Sequence, residues 1–325
     1  MKLVTIDYGR RGAAGALLRS GEILNFTRAA QADTLESWIP TELQHILEAG
    51  QSGLDVVRSL VARVECGDAG LLRHLRRKGA LCAASDTPLL SPLPAPRLVV
   101  AAGLAYRSHL AEMSGTPAPQ QPTAFMKSSH SVTGPDAPVH LPANAAEHVD
   151  YEGELAVIFG RECHDVSATD AMSFVAGYTA ANDISARDWV KSVWQAQQPW
   201  EARQTWEVNI MGKQFTGFTA LGPVLLTADE VPNPGALEIT TRLNNRPMQH
   251  APVSDLIFGL EETIAYLSRW YTFQPGDVLL SGTPAGVGAG RRPPVFMRAG
   301  DVVEVEISGI GILRNTLHAP EAAIA

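Results

Sequence analysis

From His148 to Gly160 the chain reads His-Val-Asp-Tyr-Glu-Gly-Glu-Leu-Ala-Val-Ile-Phe-Gly, a run with the apolar content and length of a β-strand. Side chains alternate along a strand, so Tyr151, Leu155, Val157 and Phe159 take one side while Glu152, Glu154, Ala156 and Ile158 take the other. Two carboxylates thus share a face with apolar residues. In a half-buried place two ionised carboxylates repel unless a cation lies between them, and a divalent metal ion meets that need. An acidic, solvated strand face is the alternative that these residues alone leave open.

The rest of the chain frames that strand. With 325 residues, 45% of them apolar and 18% charged, it buries one large core or two moderate ones. A net charge of −8 with scattered Lys and Arg excludes the basic stripe of a nucleic-acid surface. The first residues include Asp7 and no sustained apolar segment, so neither a signal peptide nor a membrane span is expected. Cys66, Cys82 and Cys163 show no Cys-x-x-Cys spacing and read as small buried hydrophobes in a reducing, cytoplasmic protein.

Residues 2–26 read as two short strands around a Gly-Arg-Arg-Gly turn, followed by helical patterns over 34–47 and 54–66. The stretch Asp86-Thr-Pro-Leu-Leu-Ser-Pro-Leu-Pro-Ala-Pro96 continues neither helix nor central strand and marks a boundary. It divides a small α+β N-terminal domain, residues 1–95, from a main domain, residues 96–325. Short strands dominate the latter, at 97–102, 149–159, 221–226, 237–243, 278–280 and 302–307, with a helix over 256–270. The fold class is α+β, mostly antiparallel.

After the acidic strand, Asp165-Val-Ser-Ala-Thr-Asp-Ala-Met-Ser-Phe-Val-Ala-Gly177 reads as a capped helical turn, and Tyr178 leads to Asn182-Asp183-Ile-Ser-Ala-Arg187-Asp188-Trp189. On its own, Asp183 also suits the N-cap of a helix beginning near Ile184. Together, Tyr-Glu-x-Glu-Leu and Gly-Tyr-Thr-x-x-Asn-Asp-x-Ser-Ala-Arg-Asp resemble the signature of the fumarylacetoacetate hydrolase family. The resemblance covers about residues 97–318. It implies a β-roll catalytic domain, often behind a smaller N-terminal domain, and in many members a homodimer. It also implies Mg²⁺ or Mn²⁺ held by Glu152, Glu154 and Asp183. Oxygen-only ligands without a Cys or His cluster suit those hard cations rather than zinc.

Gly103-Leu-Ala-Tyr106-Arg-Ser-His109-Leu-Ala-Glu112 resembles the family's Gly-x-Asn-Tyr-x-x-His-x-x-Glu motif, with Ala105 where the family usually has Asn. His109 and Glu112 share a helix face, which makes His109 a general base oriented by Glu112, or else a plain surface pair. By the same resemblance Lys213 is catalytic, and Tyr106 and Thr283 contact substrate. Lys213 otherwise reads as a solvated turn lysine, Thr283 as part of a strand-ending turn, and Arg187 either holds a substrate carboxylate or pairs with Asp183 or Asp188. The run Gly-Val-Gly-Ala-Gly290 lacks both the last Rossmann glycine and a P-loop lysine.

Between Asp188 and Lys213 lie Trp189, Trp194, Trp200 and Trp206, in a stretch shorter in many relatives, and Val190 stands where many have Gln. This insert is expected to border the active site and favour a bulky substrate, or to serve as an interface or core patch. The expected activity is metal-dependent hydrolysis of a carbon–carbon bond in a β-diketo acid, an acylpyruvate or fumarylpyruvate-like compound, as in catabolism of aromatic or sugar-derived acids. The rivals are decarboxylation of a β-keto acid such as oxaloacetate, isomerase or hydratase chemistry on a 2-oxo acid, and a non-catalytic metal- and carboxylate-binding protein. The expected partner is a small oxo acid, with no nucleic acid and no membrane.

Overall fold

The computed structural model describes residues 1–9, 12–32, 39–113, 116–187 and 196–320, without the side chains of residues 205 and 206. Two sheets carry the fold. The strands used below are β1 (Lys2–Ile6), β2 (Ala13–Leu17), β3 (Glu22–Asn25), β4 (Leu81–Ala83), β5 (Val99–Gly103), β6 (Thr123–Lys127), β7 (Pro138–His140), β8 (Gly153–Phe159), β9 (Val175–Asp183), β10 (Thr219–Thr227), β11 (Glu238–Leu243), β12 (Arg246–Pro252), β13 (Val278–Leu280), β14 (Val302–Ile307) and β15 (Gly311–His318). The larger sheet runs β4-β3-β2-β1-β10-β9-β8-β13-β5-β6, and the smaller one β12-β11-β14-β15-β7. Pairing is mostly antiparallel, β13–β5 and β15–β7 being parallel, and the described strands form no closed barrel.

The acidic strand β8 is central, and all seven of its residues are buried. Its alternation holds: Ala156 and Ile158 enter one core cluster, and Leu155, Val157 and Phe159 another. The first cluster includes the front helices α1 (Leu43–Glu48) and α2 (Gly50–Glu65), whose buried Leu54, Val57, Leu60, Val61 and Val64 follow the helical period. The second joins the smaller sheet, through Ile239, Val305 and Ile307, to Leu260 and Ile264. Helices α1 and α2 thus cover one face of the large sheet, and the second sheet together with the helical residues Leu260 and Ile264 covers the other.

The first 95 residues contribute β1 to β4 to the same large sheet, β1 pairing with β10 through Lys2–Leu226 and Leu3–Leu225. Leu3, Val57 and Leu280 share one core cluster, so the proline run interrupts the sequence without interrupting the packing.

Some elements differ from expectation. The helix expected over 256–270 spans only Leu260–Leu267, because Gly259 gives its N–H to Glu262 and starts the helix there, while Leu256 bridges to Tyr106. Cys66 is exposed and Cys82 half-buried; of the three, only Cys163 is buried. Asp183 caps no helix: it ends β9, and the chain continues into the short strand Ser185–Ala186.

Candidate active site

Sheet register assembles the acidic residues. Gly153 faces Asn182 across the β8–β9 ladder, and the Asp183 N–H donates to the Glu152 carbonyl at 2.8 Å, which sets Asp183 beside Glu152. The glycine between the two glutamates is a packing requirement: a Cβ on Gly153 would stand 2.0 Å from the Thr241 hydroxyl of the second sheet. Glu152, Glu154 and Asp183 are all buried, and one oxygen from each lies within 4.8 Å of the others.

Three cations surround them. Lys213 donates to Glu152 Oε2 at 2.6 Å, to Asp183 Oδ2 at 2.7 Å and to Ser185 Oγ at 2.6 Å, which occupies all three of its ammonium hydrogens. It is neither a solvated turn lysine nor free to grip substrate in this arrangement. Lys127, at the end of β6, donates to Asp183 Oδ1 and, at 2.9 Å, to the Phe218 carbonyl. Arg187 pairs with Asp150 at 3.1 Å and with Glu152, and not with Asp183; Asp188 lies outside the described residues.

Burial alone would raise the Glu152 carboxyl, but Lys213 and Arg187 outweigh it and hold it well below its usual value. Among the described residues no cation pairs directly with Glu154. Its Oε2 accepts one hydrogen bond, from Gly282 N at 2.7 Å, and burial together with the charges of Asp183 and Glu152 pushes its carboxyl well above the usual range. Burial lowers Lys127, whereas in Lys213 the attraction of Asp183 and Glu152 overcomes burial and raises it.

An oxygen-only cluster with one uncompensated member fits a hard divalent cation. Each carboxylate oxygen of Glu152 and Asp183 that accepts one hydrogen bond retains a second lone pair, and an ion there would offset the charge that burial and the neighbouring carboxylates penalise on Glu154. Glu152, Glu154 and Asp183 are therefore the residues that would hold it.

The dyad opens onto the same cavity, of about 610 Å³. The helix α3 (Arg107–Glu112) presents both residues on one face: His109 Nδ1–H donates to Glu112 Oε1 at 2.7 Å, and Glu112 Oε2 accepts from Gly286 N at 2.9 Å. With Nδ1 engaged, Nε2 is left as the acceptor. Thr283 lines the wall, donating to the Gly153 carbonyl at 3.0 Å and accepting from Gln249 Nε2 at 2.7 Å.

Two expectations move. Tyr106 is fully buried, 3.4 Å from Ser281 Oγ, and is not part of the cavity wall; it packs β5 against the 253–257 turn. Trp189, Trp194 and Val190 lie outside the described residues, as does the side chain of Trp206, and Trp200 is exposed away from the cavity. The segment's described contribution to the wall is Asn209, on the helix α4 (Pro199–Met211). Lys127 and Asp150 were missed by sequence reasoning. Nothing local distinguishes Lys127 from an ordinary strand-end lysine, whereas Asp150 stood inside the acidic run and had a visible signal.

The model of the fumarylacetoacetate (FAA) hydrolase C-terminal family matches residues 98–318. The chain belongs to the fumarylacetoacetate hydrolase family. It is 37% identical over 277 residues to a human mitochondrial oxaloacetate tautomerase (FAHD2B), covering 85% of this chain and 80% of that protein. Among solved structures, it resembles 5-carboxymethyl-2-hydroxymuconate delta-isomerase from Mycobacterium smegmatis, with a TM-score of 0.68, 28% identity and 99% and 100% of the two chains covered. It also resembles maleylpyruvate hydrolase from Sphingobium sp. SYK-6, solved with manganese(II) and pyruvate, with a TM-score of 0.69, 25% identity and the same coverage. Family members are thus enzymes of more than one reaction type. Among the described residues no helix is long and apolar enough to cross a membrane.

Proposed function

We propose that the chain is a divalent-metal-dependent enzyme acting on 2-oxo acids, and that hydrolysis of a carbon–carbon bond in a β-diketo acid is the reaction its site supports best. One observation carries this: a His–Glu dyad whose Nε2 has no partner among the described residues and a buried acidic triad line one cavity. Mg²⁺ or Mn²⁺, when bound, supplies positive charge to the oxygens of the 2-oxo acid, where negative charge develops as the bond breaks. Lys213 and Lys127 hold the triad carboxylates in place.

His109 Nε2 takes a proton from water as the water oxygen bonds to the distal carbonyl carbon. The carbon–carbon bond then breaks, its electron pair remaining on the fragment that becomes an enolate, and the imidazolium returns the proton to that carbon. Glu112 keeps the ring oriented and stabilises its charged form, and the Gly286 N–H fixes Glu112 in turn.

Isomerisation of a 2-oxo acid is the second reading, favoured by the tautomerase relative that spans most of the chain. It needs the same base and no attacking water. Acetylpyruvate and oxaloacetate, each with Mg²⁺ or Mn²⁺, separate the two. Hydrolysis removes the diketone absorbance and releases two acids, EDTA abolishes it, and His109→Ala lowers kcat by about 10²- to 10⁴-fold. Enol–keto conversion of oxaloacetate with no cleavage of any diketo acid would instead establish the isomerase reading. Decarboxylation that survives His109→Ala would mark the β-keto acid route.

A further inference from the structure

The cavity holds more than the groups assigned above require. Two consecutive arginines follow the glycine loop, and the fold treats them differently. Arg291 is tied down: its Nε donates to the Tyr151 hydroxyl and to the Gly286 carbonyl, both at 3.2 Å, and its Nη2 to the Met248 carbonyl. Arg292 is exposed, lines the cavity, and makes no hydrogen bond or ion pair with any described residue.

The loop sets where Arg292 stands. Gly288 N and Ala289 N donate to the Asp150 carboxylate at 2.6 and 3.0 Å, which anchors the loop beside Arg187. A Cβ on Gly290 would lie 2.8 Å from the Glu112 carboxylate, so the backbone passes directly against the dyad. Arg292 follows two residues later, within about 7 Å of chain. Asn209 is a second polar cavity group without a partner among the described residues, and the walls at Leu104, Phe125 and Val287 carry no charge.

A guanidinium beside the dyad with no partner among the described residues suits an anionic group on the substrate, because its forked donors match a carboxylate. We infer that Arg292 is the specificity-determining residue that binds a distal carboxylate and sets this chain's preference for dicarboxylic over monocarboxylic 2-oxo acids. This rests on the 2-oxo acid reading above. One end lies at the acidic triad, the reacting carbon beside His109, and the far carboxylate at Arg292.

Calorimetric titration of the full-length, Mn²⁺-loaded protein tests this with 2-oxoglutarate and 2-oxopentanoate, two unreactive ligands of equal length that differ in the distal carboxylate. The native chain is expected to prefer 2-oxoglutarate by about 10- to 100-fold, the worth of hydrogen bonds to a charged group. Arg292→Ala removes most of that preference and Arg292→Lys retains part of it. A native chain that binds both ligands equally, or an Arg292→Ala variant that keeps the preference, overturns the assignment while leaving the 2-oxo acid reading standing. If neither ligand binds in the presence of Mn²⁺, that reading falls and this one with it.

Discussion

Single residues at the site depend on partners that only burial makes costly to remove. Lys127 is fully buried against Asp183, so Lys127→Met leaves Asp183 with Lys213 as its remaining cation. Breaking a buried pair by deleting one member costs on the order of 3 kcal/mol. Urea denaturation of the metal-free variant should show a loss of that size; a change under about 0.5 kcal/mol, the range of ordinary surface substitutions, would show that the pair does not hold the site. The cysteines make a separate case. Burial pushes the Cys163 thiol up to about 11, while Cys66 is exposed. Ellman's reagent at pH 8 should modify Cys66 rapidly and Cys163 only after unfolding, as peptide mapping would reveal.

At the scale of elements, the dyad helix α3 is short and receives no side-chain cap from its N-cap residue, Tyr106. Asp255, on the 253–255 turn, supplies one from outside, accepting Ser108 N at 3.1 Å and Ser108 Oγ at 2.5 Å. Arg107 adds donors to the carbonyls of Leu256 and Ile257. Asp255→Ala should cost about 1 kcal/mol of stability, the worth of a cap, and lower kcat more than it raises KM, because the helix that aims His109 loosens while the triad is untouched. A pure KM effect would contradict that account. Asp277 joins two neighbouring strands, accepting Leu98 N at 2.9 Å ahead of β5 and Gln274 N at 2.7 Å in the turn before β13. Burial raises its carboxyl above the ordinary 3.8. A raised folded value means the folded chain holds this proton more tightly than the unfolded chain does, so the contribution is fully present below 3.8 and is lost as pH rises through the folded value. The stability of the native chain relative to Asp277→Asn should therefore fall as pH climbs from about 3.5 to 6, and a flat difference across that range would remove the claim.

For the whole molecule, the triad is built from both sides of one strand ladder, and a cation held by Glu152, Glu154 and Asp183 would stabilise the folded chain. Saturating Mn²⁺ at about 100 times its dissociation constant should add about 2.7 kcal/mol to unfolding and raise the melting temperature, with EDTA reversing it. Glu154→Gln should abolish that shift. A shift that persists in the variant would place the ion elsewhere.

The sequence by itself determined the alternation that puts Glu152 and Glu154 on one face of β8, the His109–Glu112 spacing and, through its motifs, the family, whereas Asp183 joined the glutamates only by the family resemblance and reaches them through the pairing of β8 with β9. The first three are local patterns: a period of two, a period near four, or a short motif, and local backbone geometry turns such patterns into shared faces without outside help. Tertiary structure alone decided which side chains those faces meet. Lys127 reaches Asp183 from a strand 56 residues away, Asp255 reaches Ser108 across 147, and β1 completes the sheet against β10 from the far end of the chain. Electrostatic pairing and burial act through distance in space, which sequence separation does not encode. For the same reason the expectations for Tyr106 and Lys213 shifted: each residue type was legible in its motif, but its partners were set by packing.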